Sequence, residues 1–508
     1  MKDITNLNTS TGVMFYIKKK FLTYFSIFTI LLGSTLGFNT AYAADGDAVG
    51  VADSTTTVNA STTNIDQSDL TLQTNEASAT SFTLTGDINV DTITFEDSDT
   101  VASAIAVSSD ITVDETIIMP DQGTGATAYT FTVADSKTMT VGGSVTEGTN
   151  ASLIFILANG GMTFNGSSAQ TIEAAIDSDS GNDGDITISN TAGVTFSDAV
   201  GGAGSDELGS VTVASGATAT FNGTLDAILV TNNGTLAINN AIDAPSLASV
   251  VMNASDSVLN FNSASTRDLD MIVTAATDGF GTINVIDTSG GAAAAAMVLS
   301  GGDIGTTSAR VGTLNVGSST ANGALTTIDG DAIFVDALKI EGGDHADEDS
   351  IIIAVENITA TDGITLTAAD AGDAELNTAT AAVTITGTVD SGSGTDGAGT
   401  TLIDADIGTT FANNVGATTA IESMTIADSI QVDLDGVTNA IESIVITDAG
   451  VLEFDAAADQ TYTGAITFAA DDDGTIINAN TDGELSITGA IGTATIAATE
   501  ITLNDGAN

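Results

Sequence analysis

Clusters of aspartate in turns rich in Gly and Ser are the residues of this sequence best suited to chemistry. Carboxylate and carbonyl oxygens at flexible turns are the ligands that Ca²⁺ takes in proteins. The candidate ligands lie in three segments and are Asp177, Asp179, Asp183 and Asp185, then Asp344, Asp347 and Asp349, then Asp471, Asp472 and Asp473. The alternative interpretation of each cluster is a solvated turn that holds no ion.

The first cluster lies in the segment DSDSGNDGD and is not an EF-hand loop. Asn182 stands where the invariant glycine of that loop is required, and Ile188 stands where its bidentate glutamate is required. The acidic turn of Glu96, Asp97 and Asp99 is a further candidate. The sequence therefore predicts Ca²⁺ at acidic turns of some other geometry.

The charge balance gives such an ion a physical role. The 508 residues include 67 Asp and Glu against 8 Lys and Arg, a formal net charge of −59. Carboxylates on strands about 4.8 Å apart repel one another well inside the Debye length of about 8 Å. The same balance excludes a basic surface for nucleic acid. The absence of Cys excludes disulfides and thiol chemistry.

Groups suited to catalysis are few. His345 is the only histidine, and it lies in a polar turn. Outside the first 43 residues the basic side chains are widely separated, namely Lys137, Arg267, Arg310 and Lys339. Carboxylate pairs of the kind that glycosidases use will arise by chance among so many acids. The sequence therefore predicts a protein that is not an enzyme, and a polysaccharide-degrading β-helix enzyme is kept as the third alternative.

Residues 1–43 have the three parts of a secretory signal peptide. The basic run at 18–20 precedes an apolar run at 21–37, and Ala41-Tyr42-Ala43 is a small-residue cleavage site. Removing this leader takes away four cations and one acid, which leaves 4 − 66 = −62. We expect an extracellular, Sec-exported bacterial protein with no transmembrane span in the mature chain.

Period-two alternation and internal repeats indicate the fold. Apolar pairs with one polar residue between them, such as Phe82/Leu84 and Ile88/Val90, recur along the chain with short turns between them. The pattern around Leu208 recurs around Leu247, and the segment AIES at 420–423 recurs at 440–443. The offset from Leu208 to Leu247 is about twice the offset from 420 to 440, so both fit one repeat length. Together they predict an all-β, right-handed parallel β-solenoid with coils of about 20 residues. Tandem β-sandwich domains are the alternative.

The predicted organisation after the leader has two parts. Residues 44–80 form an N-terminal polar segment or cap, and residues 81–508 form the solenoid repeats. Gly-rich stretches near 289–305 and 390–400 interrupt the repeats. Each is interpreted as a loop extruded from one coil or as a hinge between segments.

Residues 193–225, GVTFSDAVGGAGSDELGSVTVASGATATFNGTL, resemble the repetitive β-strand surface proteins of Gram-negative bacteria, both autotransporter passengers and S-layer-like proteins. The resemblance lies in phrases and composition, and it implies a secreted, repetitive surface protein. The chain departs from autotransporters at its end, because the segment ATEITLNDGAN lacks the aromatic girdles of a translocator barrel.

These features predict an acidic structural protein of the cell surface, S-layer-like or passenger-type, stabilised by divalent cations. The expected partners are further copies in a surface array and outer-membrane lipopolysaccharide or an outer-membrane protein, but no nucleic acid. An adhesin that binds a host or particle surface is the first alternative.

Overall fold

The computed structural model is built from β-strands and turns. It describes residues 40–41, 49–50, 56–65, 69–73, 81–95, 103–121, 127–202, 207–239, 249–263, 267–287, 296–300, 302–318, 325–329, 332–342, 350–354, 356–368, 373–378, 382–392 and 401–503. Within these ranges there is no helix, and so none long and apolar enough to cross a membrane. The chain divides into two compact units, Met1–Met162 and Thr163–Asn508, and each is described by itself.

The strands are short and follow one another closely. Up to residue 164 they are β1 (Thr40–Ala41), β2 (Val49–Gly50), β3 (Thr56–Ile65), β4 (Leu70–Gln73), β5 (Ser81–Phe95), β6 (Ser103–Val107), β7 (Ile111–Met119), β8 (Thr127–Val133), β9 (Thr138–Val141), β10 (Val145–Glu147), β11 (Ala151–Leu157) and β12 (Gly161–Phe164). Up to residue 287 they are β13 (Gln170–Ile172), β14 (Ala175–Ser178), β15 (Asp183–Ile188), β16 (Val194–Phe196), β17 (Leu208–Val213), β18 (Thr218–Phe221), β19 (Ala227–Asn232), β20 (Thr235–Ile238), β21 (Ser249–Met252), β22 (Val258–Ser263), β23 (Arg267–Asp270), β24 (Ile272–Ala275) and β25 (Phe280–Asp287).

The remaining strands belong to the C-terminal part of the second unit. They are β26 (Ala296–Ser300), β27 (Val311–Gly317), β28 (Leu325–Asp329), β29 (Ile333–Glu341), β30 (Ser350–Ala354), β31 (Ile358–Thr367), β32 (Ala374–Thr378), β33 (Val383–Thr386), β34 (Val389–Ser391), β35 (Thr401–Ala405), β36 (Thr409–Phe411), β37 (Ile421–Ile426), β38 (Gln431–Leu434), β39 (Thr438–Ile446), β40 (Val451–Phe454), β41 (Gln460–Phe468), β42 (Asp473–Asn478), β43 (Leu485–Thr488) and β44 (Ala498–Leu503).

Strands of successive coils pair in parallel. In the first unit β5 pairs with β6 and β6 with β8, and in the second unit β16 pairs with β18 and β18 with β20. Parallel strands stacked coil upon coil form a β-solenoid, consistent with a right-handed parallel β-helix. The predicted fold class is confirmed, and the chain does not form tandem sandwiches.

The repeats seen in the sequence coincide with the coils. Val211 pairs with Val230, and Val230 pairs with Val250, so the repeat that begins around Leu208 returns after two coils. Ile421 pairs with Ile441, so the AIES repeat returns after a single coil. Both repeats therefore mark positions that stack on one another.

Coil length varies elsewhere. Asn222 and Asn239 occupy equivalent positions of adjacent coils and are 17 residues apart in the sequence. Asn284 and Asn315 are also equivalent, but they are 31 residues apart. The strands remain in register while the connecting turns change length. The coil spacing read from the visible repeats therefore does not extend to every coil.

A recurring turn joins consecutive strands within a coil. Its fourth residue donates its backbone N–H to the carbonyl of its first, as Ala217 does to Ala214 at 3.0 Å and Ile430 does to Ala427 at 3.2 Å. The third residue of the second example, Ser429, has φ of 62°. Gly, Ser, Asn and Asp are common in turns because they tolerate this conformation or bond locally to the backbone. The polar turn residues of the sequence occupy these corners.

Inward side chains stack in columns to form the core. Phe82 and Leu84 of β5 are buried, as their alternation predicts. In the second unit the rings of Phe196 and Phe221 lie in adjacent coils with centroids 4.7 Å apart and planes 6° apart. Such ring pairs add about 0.5–1.5 kcal/mol beyond the burial of their area.

The second unit presents three faces, which are named here by their strands. The first face includes β15, β17, β19, β21 and β24, and later β33, β36, β38, β40, β42 and β44. The second face includes β16, β18, β20, β22, β25 and β27, and then the C-terminal parts of β29 and β31. The third face is a ten-stranded sheet of β23, β26, β28, β30, β32, β35, β37, β39, β41 and β43.

Parts of the predicted organisation fall outside the described residues. Residues 1–39 and 42–43 of the predicted leader lie outside them, and so does part of each Gly-rich stretch. Within the predicted N-terminal segment, β3 and β4 pair in parallel with β5. Within the first Gly-rich stretch, β26 pairs with β23 on the third face.

Candidate cation-binding turns and charged faces

The first candidate turn connects β14 to β15. Asn182 and Gly184 have φ of 75° and 82°, which fold the chain back sharply enough to bring Ser180 next to Asp183. The Ser180 hydroxyl donates to Asp183 Oδ2 at 2.5 Å, and it also lies 3.3 Å from Asp179 Oδ1. Two of the predicted ligands therefore share one hydroxyl donor.

The other two aspartates of this cluster point to different partners. Asp177 Oδ1 accepts the backbone N–H of Ser178 at 2.9 Å. Asp185 Oδ1 accepts the hydroxyl of Ser210 on the next coil at 2.5 Å. The four carboxylates are spread along the end of β14, the turn and the start of β15 instead of converging on one point.

The acidic run near the end of the chain forms a similar turn before β42. Asp472 and Gly474 have φ of 66° and 67°. Asp473 Oδ2 accepts the backbone N–H of Ala470 at 2.6 Å, and Asp471 Oδ1 accepts that of Ala497 on the next coil at 3.3 Å. Both candidate turns thus contain an Asp-Gly pair that follows a residue with positive φ.

The calcium prediction remains a prediction. Asp344, Asp347 and Asp349, together with His345, lie outside the described residues, and so does the turn at 96–99. Among the residues that the structure describes, no three acidic or histidine side chains are grouped so that they could hold one ion. An ion at the turns of β14–β15 or β42 would need backbone carbonyls, water or a second molecule to complete its coordination.

Many turn aspartates hold one coil to the next, a role that composition alone did not reveal. Their carboxylates accept backbone N–H groups from the following coil at 2.6–2.9 Å. The acceptor and donor residues at turns are Asp110 and Thr138, Asp121 and Thr149, Asp278 and Arg310, and Asp459 and Glu484; Asp390, on β34, accepts from Thr418 in the same way. Charge-assisted bonds of this kind are stronger than neutral ones. Part of the negative charge therefore stabilises the stack.

Arg310 links carboxylates from the turns and strands of neighbouring coils. Its Nη2 lies 2.6 Å from Asp278 Oδ2, and its Nε lies 2.9 Å from Asp336 Oδ1, a close ion pair without hydrogen-bond alignment. Thr361 of the next coil donates to the same Asp336 oxygen at 3.1 Å. Both ion pairs found among the described side chains are made by Arg310. Both ion pairs lie at a long coil, whose connecting turn has more residues to hold in place.

Four carboxylates form an acidic patch on the first face. Asp433 of β38 stacks directly on Glu453 of β40, and Asp435 and Asp455 follow at the ends of the same strands. Gln431 Nε2 donates to Asp433 Oδ1 at 2.7 Å and to Glu453 Oε2 at 3.1 Å. One neutral amide is thus shared between two stacked acids.

Repulsion and burial change the ionisation of the acidic patch. Burial, followed by the charges of Asp433 and Asp455, raises the pKa of Asp435. Burial is also the largest cause of the raised pKa of Glu453, followed by Asp433, Asp455 and Asp435. The ionised patch is therefore a place where charge opposes folding.

The outward positions of the second face carry almost no charge along seven strands, which are β18, β20, β22, β25, β27 and the C-terminal parts of β29 and β31. We call its outward positions the neutral face, and they form three columns along the stack. The first column is Thr218, Thr235, Val258, Thr282, Thr313, Ala337 and Gly363; the second is Thr220, Ala237, Asn260, Asn284, Asn315, Lys339 and Thr365; the third is Asn222, Asn239, Asn262, Ile286, Gly317, Glu341 and Thr367. Lys339 and Glu341 are its only charged residues.

Asparagine ladders run along the neutral face. Asn315 Nδ2 donates to Asn284 Oδ1 at 2.7 Å, and Asn284 Nδ2 donates to Asn260 Oδ1 at 2.8 Å. In the third column Asn239 joins Asn222 and Asn262 in the same manner, at 2.9 and 3.0 Å. The amides bond to one another between coils, so these side chains hold one another in place without adding charge.

No family model, curated protein or solved structure matches the chain. The class that the fold defines is a parallel β-solenoid.

Proposed function

We propose that this protein is an exported, acidic structural protein of the bacterial cell surface, S-layer-like or passenger-type, whose coils and copies are held together by divalent cations. The observation that carries the proposal is the repeated parallel coil with carboxylates at its corners. A stack of this kind contacts only its neighbouring coils and provides long, regular surfaces.

The charge distribution supports a role for cations. The acidic patch stacks Asp433 on Glu453, and the turns before β15 and β42 expose several carboxylates each. Outside a cell, where Ca²⁺ is abundant, a divalent ion bridging such groups to lipopolysaccharide phosphates or to a second copy removes the repulsion. The leader at residues 1–43 supports export. The proposal assigns no catalytic activity.

Electron microscopy of envelopes, with and without chelator, tests this function. We expect regular arrays that contain the protein and dissolve when EDTA removes divalent cations. Immunogold labelling should place the protein outside the outer membrane. Sparse labelling together with attachment of cells to a surface would instead favour the adhesin, and labelling in the cytoplasm would reject both.

The calcium part has its own measurement. Adding Ca²⁺ to chelated protein should raise the melting temperature, and Asp179→Asn with Asp183→Asn should reduce that rise. Asp198→Asn is the matched control, because Asp198 is an exposed turn acid outside the candidate clusters. A melting temperature that Ca²⁺ and EDTA leave unchanged would contradict the calcium proposal.

A further inference from the structure

We propose that Asn165 is a site of spontaneous covalent modification, at which water converts the side-chain amide of an Asn-Gly pair to aspartate and isoaspartate. An asparagine followed by glycine is prone to this reaction, because glycine has no Cβ to keep its backbone nitrogen away from the amide carbon. The sequence contains five such pairs, which begin at Asn159, Asn165, Asn222, Asn233 and Asn322. The last lies outside the described residues, and the structure distinguishes the other four.

The reaction has two steps and needs only water as a co-reactant. In the first step the backbone nitrogen of Gly166 attacks Cγ of Asn165, the Cγ–Nδ2 bond breaks, and ammonia leaves with the proton of the attacking N–H. In the second step water adds its hydroxyl to a carbonyl carbon of the succinimide ring and its proton to the nitrogen. Cleavage of the bond from nitrogen to Cγ leaves aspartate, and cleavage of the bond from nitrogen to the main-chain carbon leaves isoaspartate. The side-chain amide and the following N–H must therefore both be free to move.

Asn165 meets both requirements. It is exposed in the turn that connects β12 to β13, and no hydrogen bond to its side-chain amide is found among the described residues. The N–H of Gly166 donates to Oε1 of Gln170 over 3.4 Å, beyond the usual range of about 2.7–3.2 Å. Exposed turns with few contacts lie at the low end of local stability. The attacking nitrogen and its target are thus only weakly held.

Asn233 is the most tightly held of the four. Its Nδ2 donates to the carbonyl of Val213 at 3.1 Å, and its Oδ1 accepts from Asn253 at 2.6 Å. The N–H of Gly234, which would have to attack, donates instead to Oδ1 of Asn232 at 3.1 Å. Reaction at this pair therefore has to break bonds within and between coils first.

Neighbouring coils also hold the remaining two pairs. Asn159 Nδ2 donates to Asp135 Oδ1 at 2.7 Å, and φ of 50° places Asn159 itself in the left-handed region. Asn222 Oδ1 accepts the amide of Asn239 at 2.9 Å. The glycine that follows Asn222 packs closely on the backbone of Asp198. In both pairs the amide carbon is kept from moving freely towards the next nitrogen.

The fold therefore decides which Asn-Gly pair reacts. Reaction at a held pair waits for local opening, so its rate falls with the fraction of time that the pair is open. We expect Asn159, Asn222 and Asn233 to react at least about tenfold more slowly than Asn165. Conversion of Asn165 adds a negative charge to an exposed turn and, in isoaspartate, one atom to the backbone. The inference does not depend on the proposed surface function.

Peptide mapping of the full-length protein by mass spectrometry tests the inference. The protein is incubated at mildly alkaline pH in water labelled with heavy oxygen, which marks only the residues converted during the incubation. In the folded protein we expect label at Asn165 well before Asn159, Asn222 or Asn233. In urea that unfolds the chain, the four rates should agree to within about threefold, because the coils no longer hold the side chains.

Asn239→Ala provides a matched variant, because it removes the donor to Asn222 and leaves the bonds of Asn233 in place. It should raise the rate at Asn222 relative to Asn233, which serves as the reference for any general loss of stability. An unchanged ratio would overturn the protection assigned to the amide of Asn239.

Equal rates at Asn165 and the three held pairs in the folded protein would overturn the inference. It would also be overturned if the order of rates persisted in urea, since local sequence would then explain the difference. Neither result would affect the cation-dependent surface role, which the envelope microscopy tests.

Discussion

The neutral face and the acidic patch occupy equivalent positions and carry opposite chemistry. Both consist of outward side chains on short parallel strands of the second unit, above buried columns that include aromatic rings. The neutral face carries mostly amides, hydroxyls and small or apolar groups over seven strands, whereas the acidic patch places four carboxylates on two strands and the residues that follow them. Outward positions on this fold can therefore carry either neutral or acidic side chains.

The comparison shows where the negative charge of the chain is useful. At turns, aspartates accept N–H groups from the next coil and stabilise the stack, as Asp121 and Asp459 do. On the acidic patch the carboxylates oppose one another, and burial raises the pKa of Asp435 and Glu453. The sequence predicted repulsion between carboxylates in every coil. Among the described residues, however, acids stack closely on one another only at particular places, such as the acidic patch.

Removing the core beneath each surface gives the largest expected effect. Phe221 lies under the neutral face and Phe454 lies under the acidic patch, and both are buried. Phe221→Ala and Phe454→Ala should each lower the free energy of unfolding by about 3–5 kcal/mol, since each leaves a large cavity. Urea denaturation followed by circular dichroism measures both. A loss at only one site would mean that the two surfaces do not rest on equivalent cores.

Removing the two ion pairs of Arg310 should have the next largest effect. Arg310→Gln leaves Asp278 and Asp336 without their cation, and we expect a loss of about 1–3 kcal/mol. Lys137→Gln removes the same charge at a site with no ion pair to these acids, and it should change stability by less than about 0.5 kcal/mol. Thermal unfolding of both variants provides the comparison, and equal effects would show that Arg310 acts only through net charge.

Placing a charge within the asparagine ladder tests how far the neutral face depends on being neutral. Asn284→Asp keeps an acceptor for Asn315 but loses the donor to Asn260, so we expect a loss of about 1–2 kcal/mol. Asn222→Asp is the control, because Asn222 accepts the amide of Asn239 and an aspartate can do the same. If chemical denaturation shows the same loss for both variants, the ladder contributes nothing beyond the absence of charge.

Neutralising the acidic patch should have the smallest effect, and in the opposite direction. Asp435→Asn with Glu453→Gln removes repulsion between partly exposed acids and should stabilise the protein at neutral pH by no more than about 1 kcal/mol. Asp482→Asn changes an exposed turn acid and should have less effect. Unfolding midpoints in urea decide between these outcomes, and a destabilised double variant would contradict our account of the patch.

The pH dependence follows from the same two residues. Their folded-state pKa values lie above the unfolded values of about 4, so the folded state binds more protons in the interval between them. Stability from this patch is therefore lost as pH rises through that interval and is gained as pH falls. The difference between the wild type and the double variant should shrink as pH is lowered from 7 towards the unfolded values of about 4, and a constant difference over that range would exclude the patch as its source.

Much of the fold could be predicted from local pattern. Alternation such as Phe82/Leu84 specifies a strand with one buried face, because successive side chains point to opposite sides. The two internal repeats specify stacking, and the pairs Val211–Val230 and Ile421–Ile441 follow them. Repetition makes each of these signals visible without any long-range information.

The candidate sites were predictable only in part. The aspartates of the turns before β15 and β42 could be recognised as acidic turns, but the partner that each carboxylate binds depends on the neighbouring coil. Asp185, for example, binds Ser210, which is 25 residues away. The spacing to the next coil varies with each turn, so a carboxylate's partner cannot be read from its own segment.

The sequence by itself determined the strand pattern, the excess of acids and the polar corners, since all three depend on neighbouring residues. Only the tertiary structure decided which outward residues share a column. Asn260, Asn284 and Asn315 follow one another at unequal intervals that no fixed period predicts, yet they form one ladder. The physical reason is that backbone pairing sets the register of each coil, while turns of variable length absorb the difference.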